Sequence, residues 1–101
     1  MPLHKLTRTK LTLAKRTATL RTLLTQSASE YKLLKAAGRV RDARIQVLRA
    51  TIGEMPSVIR TSGQNRRIAK LGDQIESLRA TTPMAILAEF RLARPKASDD
   101  S

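Results

Sequence analysis

The stretch SASEYKLLKAAGRVRDARIQVLRATIG, residues 27–53, decides how this chain folds. Tyr31, Leu34, Gly38, Ile45, Leu48 and Ile52 recur at the three- and four-residue steps of a packed helical seam. Leu33, Val40 and Val47 widen the apolar face, which predicts contact with more than one neighbouring helix. Ser27 and Glu30 have the spacing of a capping box, so the helix is predicted to run from about Ala28 to Ile52. Gly53 suits the C-cap, and Pro56 bars continuation. Arg41 occupies a seam position, between Gly38 and Ile45, that calls for an apolar residue. An unpaired buried guanidinium is costly, so either an acid pairs with it, Asp73 or Glu76 being the expected mate, or that stretch is open to a ligand or partner. Gly38 beside it leaves room for another backbone.

Upstream, residues 1–29 contain Lys5, Arg8, Lys10, Lys15, Arg16, Arg21, seven threonines and no acid. Leu3, Leu6, Leu13, Leu20 and Leu24 share one side of a predicted helix. The stripe is narrow, interrupted by Lys10 and Thr17, so this helix needs a partner to be stable. Residues 1–26 therefore form a first unit, a basic amphipathic helix or arm, ahead of a helical core at 27–94 and a polar tail at 95–101.

Downstream, residues 53–65 read as a connector in which Val58 and Ile59 form a turn tucked inward. A third helix is predicted at about Gln64–Ala80 on the seam Ile68, Leu71, Ile75 and Leu78. Thr82-Pro83 is a helix start, threonine at N-cap and proline at N1. The fourth helix, to Ala93, is expected to turn Met84, Leu87 and Phe90 inward, with Pro95 ending it. The heptamer beginning at Ile45 echoes the one beginning at Ile75, as two amphipathic helices built from common residues would.

Composition agrees with an all-α bundle of about four helices that starts with a basic helix. The chain has 101 residues, enough for one small domain. It holds 14 Leu, 6 Ile and 3 Val but only two rings, Tyr31 and Phe90, which suits packed helices better than a β-sandwich. Both rings are expected in the core.

Catalytic parts are absent. His4 is the only histidine, and no nucleophile or orienting acid stands near it in sequence. With no cysteine and no acidic cluster at ligand spacing, neither a metal site nor a cofactor is expected. Four scattered glycines make no phosphate loop. Tyr31, as a strand-transfer nucleophile, is outweighed by its seam position. No apolar run approaches the ~20 residues of a membrane span, so no integral membrane association is expected.

Charge points to a partner. The net charge is +12, and 13 of the 20 basic residues are arginine, whose planar fork suits phosphate. Lys32, Lys35, Arg39 and Arg49 read as one row on the second helix, able to track a phosphate backbone. Lys15 and Arg16 supply cations from the first helix. Gln64, Asn65, Arg66 and Arg67, followed by Lys70, open the third helix after Thr61-Ser62-Gly63, which resembles the entrance of a helix-turn-helix recognition helix. The same residues also suit a simple polar helix start.

The expected function is therefore non-enzymatic binding of nucleic acid, DNA or RNA, through an arginine-rich helical surface. With both rings buried, contacts would go mainly to phosphates on duplex DNA or structured RNA. Five such contacts imply a salt slope of about −4.5. A second reading makes the chain a helical subunit or adaptor of a protein or ribonucleoprotein assembly, with a protein partner or a second copy as its mate. A third treats the acid-free first helix as an organelle transit segment. An intracellular address is expected, in cytoplasm or nucleoid, or in the mitochondrion under the third reading.

Overall fold

The computed structural model describes residues 4–55 and 61–93. Among these are four α-helices and no strand: α1 Lys5–Thr25, α2 Glu30–Gly53, α3 Ser62–Ala80 and α4 Pro83–Ala93. The fold is a small all-α bundle whose first helix is basic. The predicted turn at Val58 and Ile59, the tail at 95–101, and Leu3 of the first stripe lie outside the described residues.

α2 is the axis, and the backbones of α1, α3 and α4 each approach it more closely than they approach one another. α1 returns along it antiparallel, so that His4 at the head of α1 meets Glu54 at the foot of α2, 2.9 Å apart. α4 covers the N-terminal half of α2, with Pro83 against Gly38 and Arg91 bonded to Glu30. The last residues of α3 approach the middle of α2, where Arg41 reaches the carbonyl of Thr81.

Two seams on α2 make this arrangement. Leu33, Ala36, Ala37 and Val40 cluster with Leu20 of α1 and with Ile86, Leu87 and Phe90 of α4. Alanines in this seam keep the facing helices close. The predicted seam through Leu34, Gly38, Ile45, Leu48 and Ile52 also exists, but only Ile45 in it is buried. Tyr31 does not belong to either seam and is 73% exposed. It precedes Leu33 by two residues, which puts it about 200° round the helix from the core. Met84 is likewise exposed, not packed inward, because it lies about 200° round α4 from buried Ile86.

The cap between α1 and α2 falls two residues later than expected. Ser27 takes a left-handed conformation, φ 53°, while its N–H donates to Leu24 and that of Ala28 to Leu23. This is a Schellman ending for α1. Ser29, not Ser27, then accepts from the N–H of Lys32 as N-cap of α2. Gly53 remains helical and Glu54 is the C-cap, so no left-handed glycine ends α2.

α3 starts two residues earlier than predicted. Thr61 and Gln64 form a capping box, each side chain accepting the other's N–H at 3.1 and 2.9 Å. The predicted start of α4 holds, with Thr82 Oγ1 accepting from the N–H of Ala85. Arg41 pairs with neither Asp73 nor Glu76. Its Nε–H faces adjacent Asp42 and its Nη1–H donates to Thr81 at 3.1 Å, satisfying a carbonyl at the negative end of α3. Glu76 binds Arg79 instead.

Candidate nucleic-acid interface

On α1, Lys5, Thr9, Thr12, Arg16, Thr19 and Leu23 recur at alternating four- and three-residue steps, so they share one flank of the helix. On α2, Gln46, Ala43, Arg39, Ala36 and Lys32 do the same in the opposite direction. The antiparallel hairpin sets these flanks side by side. Two open grooves result on one face. One is lined by Arg16, Thr19, Leu23, Lys32, Lys35, Ala36 and Arg39. The other is lined by Lys5, Arg8, Thr9, Thr12, Ala43 and Gln46. End to end they make a trough of about 27 Å, the rise from residue 5 to residue 23.

Six cations line the trough, Lys5, Arg8, Arg16, Lys32, Lys35 and Arg39, and neither groove has an acid in its lining. None of the six forms an ion pair among the described residues. Four acids pair with cations outside the two linings. Glu30 and Glu89 pair with Arg91 and Arg44, joining α2 to α4. Asp42 and Glu76 hold Arg41 and Arg79 on the α3 side. Glu89 carries a carboxyl held below its ordinary value, chiefly by its hydrogen bonds from Arg44; burial opposes this, and the charge of Arg44 adds a smaller lowering.

Hydroxyls contribute less than their number suggests. Thr9 and Thr19 donate their O–H to the carbonyls of Leu6 and Lys15, leaving only acceptor capacity toward the trough. An anion there would be held by ammonium and guanidinium groups.

The predicted site residues divide among three places. Arg16, Lys32, Lys35 and Arg39 meet in one groove, across two helices. Lys15 is exposed on α1, one position round from Arg16 and outside the groove lining. Arg49 leaves the expected row, because ten residues beyond Arg39 turn the helix about 80° short of whole turns. It lines a separate opening with Arg41 and Arg79, beside Asp42. Asn65, Arg66, Arg67 and Lys70 are exposed on the first turns of α3, outside all of these linings. Gln64 is beside them, but its Oε1 is taken by the capping box.

The residues between α2 and α3 number eight, 54 to 61, where a helix-turn-helix needs a turn of about three or four. Lys5 and Arg8 were absent from the predicted site. The four- and three-residue steps from Arg16 back to Lys5 were the signal that could have included Lys5, whereas Arg8 lies about 80° off that line.

No helix among the described residues is long and apolar enough to cross a membrane. Comparison with protein-family models, with curated proteins and with solved structures gives no match to this chain.

Proposed function

We propose that this protein binds nucleic acid without catalysing a reaction on it, and that the α1–α2 trough holds the phosphate backbone. What supports the reading is the separation of charge. Six cations free of ion pairs among the described residues follow one line whose two groove linings hold no acid, while Glu30, Glu89, Asp42 and Glu76 pair with cations outside those linings. A solubilising surface has no need of such order, since mixed signs serve solubility as well. A polyanion does benefit, because each phosphate neutralised releases condensed counterions.

Titration of labelled duplex DNA, structured RNA and heparin across a salt series tests this. Six phosphate contacts give a slope of about −5.4 for duplex DNA. Replacing Arg16, Lys32, Lys35 and Arg39 by Gln should lower that slope by about 3.6. The same change at Arg66, Arg67 and Lys70 should lower it less. Equal, weak binding of all three polyanions, lost by about 150 mM salt and indifferent to the groove residues, would sink the proposal.

A second reading, a subunit of a larger assembly, is favoured by α4. It presents Met84 and Leu92, both mostly exposed, while its charged residues Glu89 and Arg91 are held by α2. Co-purification with a defined partner that covers Met84 and Leu92 would support it, and a monomer unchanged by their replacement with Glu would not.

A further inference from the structure

Tyr31 looked like a core residue by its spacing, and the fold leaves its ring in water. It stands in the first turn of α2, next to Lys32 and one turn before Lys35, both of which line the trough. Residues four apart on a helix are surface neighbours. Long helical side chains lean toward the N-terminus, so the stem of Lys35 leans toward Tyr31. Tyr31 is in neither groove lining, but its exposed ring thus stands within one helical turn of Lys35 at the edge of the groove.

We propose that Tyr31 is a stacking platform for an unpaired base, and that the preferred ligand of the trough is a single strand, or a duplex with an unpaired end. This rests on the phosphate-trough reading above. The trough supplies attraction that ignores sequence and strandedness. The ring supplies a flat surface that any base can cover. A base inside a duplex has both faces occupied by its neighbours, so only an unpaired one can use the ring. Arg16 and Arg39, further along the same groove, then hold the backbone that leads away from the stacked base.

The chain offers its own reporter, since Tyr31 is the only tyrosine and there is no tryptophan. A single strand of about 12 thymidines and a blunt duplex of the same length are titrated against the full chain at low salt. Single-strand binding should quench Tyr31 emission, and duplex binding should leave it nearly unchanged. Tyr31→Ala should weaken the single strand about 5- to 150-fold and spare the duplex. Tyr31→Trp should restore single-strand affinity, and the salt slope should stay the same in both variants. An equal loss on both ligands, or single-strand binding without quenching and unaffected by Tyr31→Ala, overturns the stacking proposal alone. Lys32→Glu with Lys35→Glu should weaken both ligands. If the wild type binds neither ligand, or this pair of changes leaves binding intact, the trough reading fails and takes the stacking proposal with it.

Discussion

Arg44 of α2 and Glu89 of α4 grip each other through two hydrogen bonds, 3.1 and 2.6 Å long, beside the face of Phe90. The pair lowers the carboxyl's affinity for protons, so its stabilising effect is complete at neutral pH. The effect fades as the pH falls past the ordinary glutamate value of about 4.3 and through the lowered one. Both side chains are partly in water, which limits the contribution to about 0.5–1 kcal/mol. Urea unfolding of Glu89→Gln should show that deficit at pH 7 and a shrinking one as the medium is acidified. A deficit that persists in acid would mean the carboxylate acts through packing.

Ser27 holds a left-handed backbone conformation that costs a residue with a Cβ about 1 kcal/mol. Its side chain is not the N-cap, a role Ser29 performs. Ser27→Gly should therefore raise stability by about 0.5–1 kcal/mol, read as a higher midpoint in urea.

Gly38 was expected to admit a close backbone. A Cβ there would meet the Pro83 ring at 3.5 Å, an ordinary contact. Gly38→Ala should gain helix propensity and stabilise by about 0.5–1 kcal/mol. Gly38→Leu should push Pro83 away and destabilise. If alanine also destabilises, the α2–α4 junction is tighter than 3.5 Å implies.

Leu20 is the single fully buried side chain of α1 and joins the main core cluster. Leu20→Ala should cost about 2–5 kcal/mol, a large part of the stability of a chain this size. Limited proteolysis should then cut α1 first, while Leu6→Ala, nearer the end of the helix and only half-buried, leaves it protected.

Helix number and type were legible because seams and start signals are local. Thr82-Pro83 fixes the head of α4 by its own hydrogen bond, whatever packs nearby. Which of two overlapping seams meets which helix was not local. On α2 the larger residues, Tyr31 and Leu34, mark one seam in the sequence, while the small Ala36 and Ala37 build the tighter contact. Arg41 fell to a backbone carbonyl, an acceptor no pattern of side chains displays. At the site, Lys32, Lys35 and Arg39 were visible on one helix, but their meeting with Arg16 depends on how α1 lies against α2. Arg49 stands about 80° round α2 from Arg39 but only about 40° from Lys35, so the opening it lines depends on where α1 and α3 lie against α2.

Because the other helices lean on α2 more than on one another, they need not come loose together. α3 has only Ile75 fully buried, with Arg41 reaching its end, whereas α1 and α4 share a common cluster around Phe90. Amide hydrogens of α3 should consequently exchange with solvent through a partial opening that leaves α1, α2 and α4 assembled. Those in the middle of α2 should exchange only when the whole chain unfolds, which makes that helix the slowest-exchanging part of the molecule.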